Sequence, residues 1–205
     1  MKRLPNKQLF HIKTGENMNV FDFDGTIYHG DSSKDFVFYC FKKFPKTRSK
    51  IPAILWYGAG FGLRIVKKKK FKEKLFSIVT KIDDLQGAVS DFWQSHEKNI
   101  HKWYMEMKQP SDVIISASPE FLLEPICKKL GAECMMATRV DEKTGEFDGE
   151  NCHGEEKVKR FYTKYPKGEI DEFYSDMYCD TPLAKHAKKA VMVKGEKLSP
   201  WKKFK

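Results

Sequence analysis

A parallel α/β sheet with helices on both faces, interrupted near its start by a block of helices, is the fold that the 205 residues predict. Three observations carry this. From Pro110 onward, short strand-like runs, the first the β-branched Val113–Ile115, alternate with helical stretches, the pattern of parallel strands joined by crossover helices. Residues 31–108 read as helix after helix. One short apolar run, Val20–Phe23, precedes them.

Taken in order, Val20–Phe23 is expected to be a buried strand that runs into Asp22-Phe23-Asp24-Gly25-Thr26, where Asp-Gly marks a turn. Asp31-Ser32-Ser33 can cap a helix over 33–44. Further helices are expected over 52–66, 70–82 and 84–107. In the last of these Leu85, Val89, Phe92, Trp93, Ile100, Trp103, Tyr104 and Met107 fall on one face. Val113–Ile115 is a strand ending at Ser116. Ser118 at N-cap and Pro119 at N1 open a helix to Leu130, which Gly131 ends. Cys134–Ala137 is a short strand, and Arg139–Phe147 reads as a hairpin around Lys143-Thr144-Gly145. Helix 154–165, strand 170–174, helix 181–187 and strand 190–193 complete the chain. Residues 1–17 are polar and aperiodic. They are expected to be a loose extension, with Met18 as an alternative start of translation.

With 40% hydrophobic and 14% aromatic residues the chain can build a core, which excludes a disordered tail or a collagen-like fibre. The longest uncharged apolar run, Ile51–Leu63, is too short for a membrane-spanning helix. The basic N-terminus lacks the apolar core of a secretory signal. The cysteines are dispersed, odd in number and form no Cys-x-x-Cys pair, which suits a reduced cytoplasmic compartment.

The net charge of +10 is uneven. Twelve basic residues and one acid, Glu73, fall between Lys42 and Lys74, a local charge of +11, and the rest of the chain carries −1. Three readings of this stretch stay open: a solvated surface, attraction of an anionic substrate, or contact with an anionic membrane surface, since Trp56, Tyr57 and Phe61 lie among the lysines. No nucleic-acid reader motif accompanies the charge.

The chemistry is read from the residues that succeed each strand, because ligands bind beyond the carboxyl ends of parallel strands. The first strand leads to Asp22 and Asp24, the second to Ser116, and a later one to Asp176 and Asp180. Lys157 falls in the first turn of the helix before that strand. So many carboxylates on one edge require a counter-charge. Mg²⁺ is the simplest, with a phosphate-bearing substrate supplying further oxygens. Ser116 and Lys157 suit an anion. The set fits phosphoryl transfer, which depends on positioning and charge neutralisation.

FDFDGT (21–26), VIISAS (113–118), Lys157 in GEEKVKRF and SDMYCD (175–180) occur in this order over residues 19–194. In this the chain resembles the haloacid dehalogenase (HAD) superfamily, most closely the phosphoserine-phosphatase-like branch (subfamily IB). The resemblance implies a Rossmann-like core over 18–30 and 109–205 with an inserted helical cap (C1 type) over 31–108. It implies Mg²⁺-dependent hydrolysis of a small phosphate monoester. Asp22 would form an aspartyl-phosphate and Asp24 would be the general acid and base. Mg²⁺ would be held by Asp22, Asp24 through its backbone carbonyl, and Asp176. Ser116, Lys157 and Thr26 would bind the phosphoryl group, and Asp180 would orient Lys157. Transfer to an acceptor other than water is the alternative chemistry. A non-catalytic anion- or membrane-binding module is the alternative outside chemistry.

Two departures bear on the substrate. Met177 stands where the family often has Ser. The cap position at which phosphoserine phosphatases carry an Arg for the substrate carboxylate falls at Ile78, which argues against phosphoserine itself. Asp31 sits at a position comparable to that of their acid that pairs with the substrate ammonium, although a plain helix N-cap is the preferred reading. Gly58-Ala59-Gly60-Phe61-Gly62 is read as allowing close helix packing or a kink and not as a dinucleotide loop, for want of a preceding strand. Cys152-His153 is read as a loop or core Cys beside a surface His, and His96 and His101 as helix surface.

Overall fold

The computed structural model describes residues 18–132 and 134–202, so the expectations for residues 1–17 lie outside it. Six strands form one sheet in the order β3-β2-β1-β4-β5-β6. They are β1 (Met18–Phe21), β2 (Val113–Pro119), β3 (Cys134–Thr138), β4 (Ile170–Ser175), β5 (Ala187–Lys194) and β6 (Lys197–Pro200). The first five pair in parallel, with Phe21 opposite both Ile114 and Tyr174. β6 returns antiparallel to β5 through Gly195-Glu196. The sequence pattern does not predict β6, because Lys197-Leu198-Ser199-Pro200 is an exposed edge with no apolar alternation.

The alternation of strand side chains splits the core in two. Phe21, Ile114, Tyr174, Val191 and Val193 face one side, under helix α6 (Glu120–Leu130) and the helical block. Val20, Val113, Ile115, Phe173 and Met192 face the other, under α7 (Glu155–Lys164) and α8 (Thr181–Ala184).

Between β1 and β2 lie α1 (Ser32–Lys43), α2 (Ile51–Gly62), α3 (Lys68–Phe76), α4 (Leu85–His96) and α5 (Lys102–Met107), linked partly by 3₁₀ turns. The block has no core of its own. Phe36 and Phe92 of α1 and α4 join the cluster of Phe121 and Leu122 on α6, and the Trp93 indole donates to the Leu122 carbonyl at 2.6 Å. α2 and α3 touch this cluster only at its edge, through Ile54 and Leu75, and they pack on each other, with Gly58 of α2 so close to the Phe71 ring that a Cβ would lie 3.3 Å from it. Gly58 therefore serves helix packing, while Gly60 makes room for Val66 in the turn that follows.

Three local expectations are corrected. The single helix over 84–107 breaks at Ile100, because the chain there returns to the core: His101 N–H donates to the Ile27 carbonyl at 2.9 Å and Ile100 bridges Tyr28. His101 is consequently buried, with Nδ1 2.7 Å from Glu196 Oε1, and is not helix surface. The hairpin over 139–147 reduces to one bridge, Val140 with Phe147. Its Gly145, at φ 77°, lies against the Phe76 backbone so tightly that a Cβ would come within 2.6 Å. That turn supports the end of α3.

Asp112, fully buried just before β2, accepts from Gln109 N–H at 2.9 Å. Burial pushes its carboxyl up to about 6. The folded state thus favours the protonated form, and stability falls as pH rises from about 4 through about 6. Asp112→Asn keeps an acceptor for Gln109 and removes the charge. It should raise Tm at mildly alkaline pH by about 3 °C, roughly 1 kcal/mol, and flatten the decline between those two values. An unchanged Tm–pH curve would refute this.

Candidate active site

The carboxyl ends of β1, β2 and β4 open on a cleft of about 570 Å³, walled on the far side by α3. Asp22, Asp24, Asp31, Ser116, Lys157, Asp176 and Asp180 all line it. Parallel pairing explains the convergence: strands in register end at the same edge.

Lys157 is the centre. It is 2% exposed, and its Nζ donates to Asp22 Oδ1 and to Asp180 Oδ2, each at 2.7 Å. Burial works against its charge, yet the two carboxylates hold its pKa above the ordinary lysine value. Ser175 Oγ donates to the same Asp180 oxygen at 2.8 Å, which fixes the acid that fixes the lysine. Asp22 N–H donates to the Tyr174 carbonyl at 2.9 Å, so its position is set by the β1–β4 pairing.

Asp24 is held separately. Ser32 N–H, at the N-terminus of α1, donates to its Oδ1 at 2.6 Å, and the Ser118 hydroxyl donates to Oδ2. Burial, and after it the Asp31 charge, pushes the Asp24 carboxyl above the usual range. Gly25, at φ 71°, has Asp176 Oδ2 only 2.2 Å from where a Cβ would sit, so no other residue fits there.

The donor set suits a hard dication. Burial pushes Asp22 up to about 7 despite Lys157, and Asp176 up to about 6, which marks a deficit of positive charge. Asp176 Oδ1 is buried with no hydrogen-bond partner. Among the described residues no three Asp, Glu, His or Cys side chains cluster to hold a metal by themselves. The Asp24 carboxyl is already engaged by Ser32 and Ser118. Two carboxylates, the Asp24 carbonyl and oxygens from water or substrate are the remaining set, which fits Mg²⁺.

The haloacid dehalogenase-like hydrolase family matches residues 20–185. The chain belongs to that family. Among curated proteins it is 32% identical to Protein CicA of Caulobacter vibrioides over 77 residues, 35% of each chain. The match thus spans about a third of that relative's length. Among solved structures, a protein of unknown function from Bordetella pertussis Tohama I aligns with a TM-score of 0.72 at 15% identity, over 86% of this chain and 89% of that one. A phosphoserine phosphohydrolase-like protein from Francisella tularensis subsp. tularensis SCHU S4 aligns with a TM-score of 0.55 at 18% identity, over 86% of both chains. Both likenesses establish the fold of this HAD-family chain.

Within this HAD site, two expected assignments shift. Thr26 is fully buried and does not line the cleft; its hydroxyl accepts from Asp176 N–H at 3.0 Å. It ties the first loop to the loop after β4. Ser118 is not an N-cap: β2 continues to Pro119, α6 begins at Glu120, and no side chain caps it. Ser116, 1% exposed, instead accepts from Ser118 N–H at 3.1 Å. Asp31 does cap α1, accepting from Lys34 N–H at 2.9 Å, and also reaches the cleft rim.

Two residues that line the cleft are not marked as site residues by the sequence pattern. One is Ser118, whose hydroxyl meets Asp24 and lies 2.6 Å from Ser33 Oγ. The other is Lys72, which donates to the Ala117 carbonyl at 2.7 Å and whose ammonium burial brings down to about 8. Lys68, Phe71, Lys72 and Leu75 all line the cleft. Their three- and four-residue spacing puts them on one face of α3, a signal present in the sequence. Ser118→Ala removes one of the two donors that aim Asp24. It should lower kcat on an aryl phosphate about tenfold with KM nearly unchanged. An unaltered kcat would remove Ser118 from the positioning role.

Proposed function

We propose that this HAD-family chain hydrolyses phosphate monoesters through an aspartyl-phosphate on Asp22. The observation that carries the reading is the pairing of two differently held carboxylates in one cleft. Asp22 is clamped through Oδ1 by Lys157, and Asp24 is clamped through both oxygens by donors. The first arrangement suits a nucleophile and the second a proton carrier.

Asp22 Oδ2 attacks phosphorus as the ester oxygen departs, and Asp24, whose carboxyl burial raises above the usual range, gives that oxygen a proton. Asp24 then takes a proton from water, whose oxygen attacks phosphorus and releases phosphate and free Asp22. Lys157 and Ser116 face the phosphoryl oxygens from the cleft floor. Asp22, Asp176 and the Asp24 carbonyl would hold Mg²⁺, which would neutralise the charge gathered there.

Lys34, Lys68 and Lys72 at the cleft favour an anionic substrate. The cap position of the phosphoserine-phosphatase arginine is Ile78, fully buried in the core, so we propose a substrate other than phosphoserine. Acid quenching during turnover of an aryl phosphate with Mg²⁺, then peptide mass spectrometry, is expected to find the phosphoryl group on Asp22. Burst release of alcohol without any phosphopeptide at Asp22 would sink the mechanism.

A further inference from the structure

Helix α2 presents a contradiction that needs an occupant. Ile51–Gly62 holds no charged residue, yet none of its side chains is buried. Leu55 is 66% exposed and Trp56 77%, and beyond the helix Leu63 is 72% and Ile65 78% exposed. A helix apolar on every side is normally covered. Around it, five cations fall between residues 42 and 50 and seven between 64 and 74. The one acid among them, Glu73, is already engaged by Lys70 at 2.8 Å.

We infer that this face docks on the surface of an anionic lipid bilayer. A bilayer satisfies both halves of the pattern: the acyl boundary takes Leu55, Trp56, Leu63 and Ile65, and the anionic headgroups take the flanking lysines. A second copy of the chain would bring two strongly positive rims together. A nucleic acid would meet the cations and leave the apolar side chains in water. The helix lies on the bilayer and does not cross it. Its twelve residues reach about 18 Å, against about 30 Å of hydrocarbon, and no helix among the described residues is long and apolar enough to span.

The face is continuous with the catalytic cleft. Phe61 of α2 lines the cleft and stacks on Phe71 of α3 at 5.4 Å with the rings 5° apart. Lys74 over the Tyr57 ring, 5.3 Å from its centroid, fastens the two helices to each other. Docking therefore sets the cleft mouth at the lipid surface. Resting on the phosphatase reading, this makes a phosphate monoester carried on an acyl-chain amphiphile the substrate class.

The test is flotation of the full chain with vesicles of phosphatidylcholine alone and of phosphatidylcholine mixed with phosphatidylglycerol, together with tryptophan emission. Binding to the anionic vesicles with a blue shift is expected, since Trp56 is the strongly exposed tryptophan. A Leu63→Ser/Ile65→Ser variant should bind at least about tenfold more weakly, with unchanged circular dichroism and unchanged turnover of soluble aryl phosphate. No binding at low salt overturns the proposal. So does binding with unshifted emission that the double variant retains, which would be adsorption of a polycation. A concentration-dependent dimer that the variant loses would assign the face to a second copy instead. Vesicle binding requires no turnover, so it is judged apart from the catalytic reading. The substrate class is judged by phosphatidic acid within the bound vesicles. Faster phosphate release by the wild type than by the double variant supports it, and equal release overturns it.

Discussion

Asp22→Asn is expected to abolish turnover of an aryl phosphate, lowering kcat by roughly 10⁴-fold or more. An amide oxygen is too weak a nucleophile to open the ester, and no neighbouring group replaces it: Asp180 is held by Lys157 and Ser175, and Asp24 by Ser32 and Ser118. The fold should survive. The wild-type cluster sets one buried cation between two acids, and the variant leaves Lys157 still paired with Asp180 at 2.7 Å. Near-native circular dichroism and a Tm within a few degrees of wild type are the accompanying expectation. Turnover within tenfold of the wild-type rate would overturn the assignment of Asp22 as nucleophile.

Lys157→Met has the larger effect on stability. It removes the cation that Asp22 and Asp180 share through Nζ and leaves both carboxylates buried, with Asp180 1% and Asp22 8% exposed. Breaking one side of a buried ion pair costs about 3–5 kcal/mol, which for a chain of this size lowers Tm by about 10 °C. The sign with pH is set by the acids. Burial already holds Asp22 at about 7, and losing the lysine raises it further, so the loss is full at alkaline pH and shrinks as pH falls through about 7 and Asp22 takes up a proton. Activity is lost as well, through the missing phosphoryl contact. A variant whose Tm deficit stays constant from acid to alkaline pH would mean that packing, and not charge, is what Lys157 contributes. The double variant Lys157→Met/Asp180→Asn should recover part of the stability and none of the turnover.

Most of the candidate site was legible in the sequence, for a geometric reason. In a parallel sheet every strand ends at the same edge, so the residues at and just past the ends of Val20–Phe23, Val113–Ile115 and Ile170–Tyr174 are the ones that converge. Asp22, Asp24, Ser116, Asp176 and Asp180 needed no side-chain geometry to be gathered. The strands themselves were legible because burial writes them as short apolar runs bounded by turn residues, most plainly the β-branched Val113–Ile115. The break at Ile100 was not. The spacing Leu85 to Met107 continues unbroken, and only the hydrogen bond from His101 to Ile27 shows that the chain has left the helix for the core.

The residues that tune the site belong to the same second category. A serine before proline and glutamate reads as an N-cap wherever it stands. Ser118 became a partner of Asp24 only because β2 runs past its β-branched residues and carries the hydroxyl across to α1. Lys72 is one of five lysines between 67 and 72, and local spacing cannot say which of them meets a carbonyl 45 residues away. Sequence alone determined which chemical groups reach the strand ends and that the surplus positive charge lies in one helical stretch. Tertiary structure decided which oxygen each group meets, and that α2 carries its apolar side chains outward. Both are set by contacts between elements distant in the chain, which no local pattern encodes.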